Sequence, residues 1–206
     1  MSYSVDKTRK QLPLRYATLF VSLGLLWFVP HHELLTDLSL WYLLPGWVLL
    51  GHLLCGFSYF ITGFSTKRAL ALFRGSFVIY GKGGSLVHLQ AAFLVALIEE
   101  AIFRYSLLPF LGDTFGSAIG ALLVVSFAFS FMHFSRGFSL ARVFIHVDHF
   151  VFALILGGLV IGLQSFYPAL ILHTMRNYIL RCILISKDEY RQLQKEAEEI
   201  SSHTPK

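Results

Sequence analysis

The chain has 206 residues, of which 55% are hydrophobic and only 14% charged. A soluble domain carries about 25% charged residues, so this composition and a mean hydropathy of +0.64 exclude an ordinary water-soluble globule and predict a multi-pass membrane protein. The formal charge of +5 does not indicate a nucleic-acid partner, because the basic residues are scattered between apolar runs with no contiguous patch; membrane orientation accounts for them.

Six apolar segments follow in chain order, near Leu14–Val29, Leu40–Ile61, Val87–Leu111, Ser117–Phe134, Phe144–Leu163 and Tyr167–Ile185. Each approaches the roughly 20 residues a helix needs to cross a 30 Å hydrocarbon core. Lipid offers no partner to backbone N–H and C=O groups, so these spans must be helical. The expected fold is all-α, a polytopic membrane bundle of about six transmembrane helices over residues 1–185. A polar tail of mixed charge follows over 186–206. The first apolar run is too long for a signal-peptide core and no small-residue cleavage site follows it, so the first span is expected to stay attached. Pro45, Gly46, Gly157 and Gly158 fall inside spans, where close helix packing tolerates them. Trp27, Trp41, Trp47, Tyr42 and Tyr16 lie near span ends, as interface aromatics do. Only two cysteines occur, Cys55 and Cys182, both within predicted spans; they read as packing residues rather than a disulfide framework.

The connecting segments set the orientation. Lys7, Arg9, Lys10 and Arg15 precede or open the first span, Lys67, Arg68, Arg74 and Lys82 lie between the second and third, and Arg136 and Arg142 join the fourth to the fifth. The intervening connections carry no Lys or Arg. This alternation predicts that both termini are cytoplasmic.

The third span contains Glu99-Glu100-x-x-x-Arg104 within an apolar run. Ionisable groups at bilayer depth cost several kcal/mol unless they are paired, line a watery cavity or do chemistry. Glu100 and Arg104 are four apart and share a helix face, so they can pair as carboxylate and guanidinium. Glu99 lies about 100° away, without that partner, and a carboxylate so placed can act as a general base toward water. Two further polar groups stand late in the fourth span and in the sixth: Phe129-x-x-x-His133 and His173-x-x-x-Asn177. The second places imidazole and carboxamide one turn apart on one face, as an oxyanion-stabilising pair requires. Each group taken singly also has a structural explanation, as a buried ion pair or as interhelical hydrogen-bonding glue.

The three motifs in this order, each on its own span, resemble the CPBP family. That family comprises the CAAX-processing endoproteases and the bacteriocin-processing or self-immunity proteins, which are intramembrane glutamic proteases. Gly157, Gly158, Gly162 and Pro168 also resemble that family's approach to its His-x-x-x-Asn helix, and the resemblance spans residues 87–181. It implies that Glu99 and His133 activate a water, that His173 and Asn177 hold the oxyanion, and that Glu100 and Arg104 brace the site. It implies no cofactor and no metal. The implied partners are the lipid bilayer and a membrane-associated peptide or protein substrate, whether a prenylated CAAX protein, a peptide precursor or a sorting tail. The implied location is a bacterial or archaeal plasma membrane. At about 1.5 Å per residue, His133 is displaced by ~10 Å from Glu99 along the membrane normal, and a cavity open to the cytoplasm is expected to join them.

Other chemistries leave weaker traces. His146-x-Asp148-His149, with His133 and His173, could suggest a metal site, but the His-Glu-x-x-His signature is absent. Asp148 is instead expected to pair with Arg142 or Arg136. No serine stands in a nucleophile-elbow pattern, and Ser126 and Ser130 read as helix packing. A transporter or proton-coupled carrier could use the same Glu and His groups, although no internal repeat is visible. A catalytically silent peptide-binding or immunity protein is the remaining alternative.

Overall fold

Where they are described, the apolar runs are helices. The computed structural model describes residues 12–17, 20, 42–61, 85–133 and 140–180. Most of the first predicted span and the whole 186–206 tail lie outside these residues, as does Cys182. Helix α1 is Leu44–Ile61 and α2 is Ser85–Glu100. A π-helical segment, Ala101–Leu107, leads from α2 into α3, Leu108–Phe115. Helix α4 is Ala118–Met132, α5 is Leu140–Leu163, and residues 167–180 form α6. No strand occurs among the described residues.

Local chemistry explains the breaks. Pro109 sits in the first turn of α3; its ring has no N–H to donate and would clash with the carbonyl four residues back. The wider π turns just before it relieve that clash, and Ser106 Oγ donates to Ala101 O at 2.9 Å across the widened turn. Gly116 ends α3 in the left-handed conformation at φ 60°, which glycine adopts without steric cost. Ser117 then caps α4 by accepting a bond from the Gly120 amide at 3.1 Å. Gln164 closes α5 at φ 50°, and its side-chain amide donates back to Ile161 O at 2.6 Å.

Packing brings the helices that carry the motifs together. α4 lies against α5 and α3, burying Phe129, Val125 and Ala121 with Phe103, Leu108 and Ala153. α6 fits between α1, α2 and α5: Phe166, Ala169 and Leu172 pack with Ala96, Phe152 and Leu156, and Trp47, Leu50 and Leu54 of α1 cover them. Trp47 thus packs on the core, whereas Tyr42 is exposed. α1 and α6 approach so closely at Gly51 that a Cβ there would stand 2.8 Å from Met175 Cβ. The helical turns at residues 12–17 are fastened to α2, where Arg15 Nη1 donates to Ala91 O at 2.9 Å and Gln90 bonds the Tyr16 hydroxyl.

Among the described residues two helices are long and apolar enough to cross a membrane, Leu86–Phe115 and Val143–Leu163; Leu44–Ser58 and Ala118–Met132 are shorter apolar helices. Along α4, Ile119, Leu123, Phe127 and Phe131 are all exposed. Their four-residue spacing makes one apolar stripe on the outer face, which an aqueous protein would not leave uncovered.

Candidate active site

Glu99 and Glu100 end the regular part of α2, and Arg104 stands one turn into the π segment. Arg104 Nη1 donates to Glu100 Oε1 at 3.0 Å, and both side chains are fully buried. Arg104 Nη2 donates to Ala153 O on α5 at 3.3 Å, and the guanidinium lies 4.5 Å from the centre of the Phe129 ring. The arginine therefore ties α2 to α5 and lies against α4 with its charge matched by a carboxylate, a carbonyl and an aromatic face.

His173 of α6 enters between the two glutamates. Its Nδ1 lies 2.6 Å from the same Glu100 Oε1, and its Nε2 lies 3.3 Å from Glu99 Oε2. The first contact is a hydrogen bond; the second is within electrostatic reach but is not aligned as one, so Glu99 Oε2 has no hydrogen-bond partner. An ionised carboxylate only accepts hydrogen bonds, so Nδ1 carries the proton that Glu100 receives. Nε2 and Glu99 Oε2 then face each other as two acceptors unless one proton lies between them. Glu99 is the more open glutamate, 18% exposed against none for Glu100. The rings of Phe129 and Phe152 meet His173 edge-on at 5.7 and 5.5 Å, which shields the cluster from solvent.

His133 is the residue after the last turn of α4. Its Nδ1–H donates to Phe129 O at 2.9 Å, since a carbonyl can only accept. In the neutral ring that leaves Nε2 with a lone pair, the form a general base needs. His133 forms no ion pair with either glutamate among the described residues; it is joined to them through Phe129, whose ring contacts both histidines. Asn177 lies one turn beyond His173 on α6, half-buried. A cavity of about 300 Å³ occurs at the other end of the bundle, lined by Pro109, Gly112, Asp113 and Gln164 among others, and it includes none of these side chains.

Two features escaped the sequence reading. Asp148 pairs with Arg176 of α6 in a buried ion pair, while Arg136 and the Arg142 side chain, its expected partners, lie outside the described residues; the Arg176 guanidinium lies 4.2 Å from the Phe152 ring centre. Arg176 sits inside the His173-x-x-x-Asn177 motif, and a cation in an apolar span was itself a signal. The second is the stack of His149 on His133, with ring centres 4.5 Å apart. Ser130 and His146 do tie α4 to α5, with Ser130 Oγ donating to His146 O at 2.8 Å and His146 Nδ1 facing Ser130 O at 3.3 Å. Among the described residues no three His, Cys, Asp or Glu side chains are placed to hold one metal ion.

Residues 82–179 match the family of Rce1-like type II CAAX prenyl endopeptidases. Over this segment the chain is similar to that family. The Rce1-like segment contains both glutamates, Arg104, His133, His173 and Asn177, and the resemblance read from the motifs over 87–181 is thereby borne out. The family is one of integral membrane proteases, so the match supports a protease role and a protein or peptide substrate at the membrane. No curated protein and no solved structure matches the chain.

Proposed function

We propose that the chain is an intramembrane endopeptidase that hydrolyses a membrane-associated peptide, with a prenylated CAAX-type substrate as the first choice, by direct attack of a water and without a metal. The bundle has six spans with both termini cytoplasmic, and the site opens toward the cytoplasm. The observation that carries this reading is the grip of Glu99 and Glu100 on His173, at 3.3 and 2.6 Å.

The division of labour follows from the bonds. Glu100 is occupied by Arg104 and His173, so it braces the site. Glu99, the more open of the two at 18% exposed, is the general base that takes a proton from the water, and His133 shares in orienting that water through the Nε2 lone pair of its neutral ring. The water oxygen forms the new bond to the scissile carbonyl carbon, and the carbonyl electrons move onto its oxygen. His173 can donate to that oxyanion only through Nε2–H. Because Nδ1–H is committed to Glu100, the donor form of His173 is the imidazolium, and Glu100 supplies the matching charge, as a buried carboxylate does for a catalytic histidine in hydrolases. Asn177, one turn away, is the second oxyanion donor, and one such donor contributes about 3 kcal/mol. Collapse of the intermediate breaks the C–N bond, and the proton held at Glu99 passes to the leaving amine.

The test compares the full-length wild type with Glu99→Gln in liposomes, using an internally quenched farnesylated CAAX peptide, alongside mass spectrometry of host membrane peptides. Cleavage by the wild type and none by the variant supports the reading. Equal cleavage by both moves water activation away from Glu99. If the wild type cleaves neither the probe nor any host peptide, the carrier and silent-binder alternatives replace it.

A further inference from the structure

We propose that His149 is a positioning residue that holds the His133 ring in its water-facing orientation; this rests on the assignment of His133 to water activation. An imidazole rotates easily about its outer side-chain bond, whose preference is broad and roughly two-fold, and the bond from His133 Nδ1 to Phe129 O does not alone fix the ring plane. The ring of His149 lies against it with centres 4.5 Å apart and planes 26° apart, and the Phe129 ring meets it at 4.8 Å and 41°. His133 is thus confined by two rings from two helices.

His149 is itself immobilised. Its Nδ1–H donates to Ile145 O at 2.7 Å, and the adjacent Asp148 is anchored to Arg176 of α6. The consecutive pair Asp148-His149 therefore reaches two different helices, α6 through the ion pair and α4 through the stack. The contacts close a circuit: Glu100 to Arg104, Phe129, His133 and His149, then Asp148, Arg176, Phe152 and His173, and back to Glu100. His149 is the link by which the α6 side of the circuit sets the His133 ring. It is only half-buried and bonds the carbonyl of its own helix, so its loss leaves the fold intact.

The experiment measures kcat, KM and thermal midpoint for full-length wild type, His149→Ala, His149→Phe and His133→Ala with the farnesylated peptide. His149→Ala is expected to lower kcat about ten- to hundredfold, the scale of a misplaced catalytic group, with KM and the midpoint unchanged. His149→Phe keeps a ring in the stack and is expected to recover most of that loss. A lowered midpoint in His149→Ala, or no recovery in His149→Phe, overturns the positioning role. Wild-type kcat in His149→Ala with an inactive His133→Ala overturns this inference and leaves the peptidase reading standing. Full activity in His133→Ala, or no cleavage by the wild type, overturns the underlying assignment and this inference with it.

Discussion

His173 and Arg104 hold the same oxygen of Glu100, at 2.6 and 3.0 Å, and Glu100 is fully buried, while the Glu99 side chain next to it is 18% exposed. Adjacent glutamates thus have different duties, and conservative substitutions should separate them. Glu99→Gln is expected to abolish cleavage with the thermal midpoint unchanged. Glu100→Gln is expected to lower kcat by a factor approaching ~10⁴, the loss seen when a histidine's carboxylate partner becomes an amide, and to lower the midpoint too. Kinetics and thermal unfolding in detergent on both variants check this; identical behaviour would contradict the assignment.

Arg104→Ala strands the fully buried Glu100 carboxylate, a loss on the order of 3–5 kcal/mol for a broken buried pair. The double variant Glu100→Leu/Arg104→Met removes both charges, and its thermal midpoint is expected to lie well above that of Arg104→Ala. Lysine at 104 should not rescue, because an ammonium cannot keep both the Glu100 and Ala153 bonds in the planar geometry of the guanidinium. Thermal unfolding of the four proteins decides the matter.

Asp148 and Arg176 form the second buried pair, and the same logic gives a different readout. Asp148→Asn leaves Arg176 over Phe152 without its counter-ion. The midpoint is expected to fall, and kcat to fall with it, since Phe152 also touches His173. Asp148→Leu/Arg176→Met should regain stability more completely than activity. Equal recovery of both would separate this pair from the catalytic geometry.

Chelation is expected to change nothing. Incubation of the purified protein with EDTA followed by 1,10-phenanthroline should leave kcat intact, because the proposed water activation draws on Glu99 and His133 alone. Activity lost to the chelator and restored by zinc would sink that mechanism.

The helices and the pairing of Glu100 with Arg104 were legible because they are local. Apolar runs and four-residue spacing are written along the chain, and the structure extends the third run only at its ends, from Val87–Leu111 to Leu86–Phe115. The π segment within it left no pattern in hydropathy; Pro109 was its one trace. Contacts between helices were harder. His173 was read with Asn177, its neighbour by spacing, yet its bonds reach across to α2, and Asp148 found its partner 28 residues on. Such choices depend on how the helices rotate against each other, which periodicity leaves open.

Helix α4 has 15 residues, about 22 Å at 1.5 Å each, against a hydrocarbon core of about 30 Å. A lipid layer resting on its exposed phenylalanines has to thin by several ångströms or leave apolar chains against polar ends. A dimple at the His133 end of that helix would bring headgroups and water toward the histidine proposed to orient the attacking water. Cleavage in vesicles of short-chain phosphatidylcholine should accordingly outpace cleavage in long-chain vesicles, and the reverse order would rule the dimple out. On the proposed reading, the bilayer's own shape would become a part of the entrance, and the host membrane's thickness a determinant of which scissile bonds come within reach.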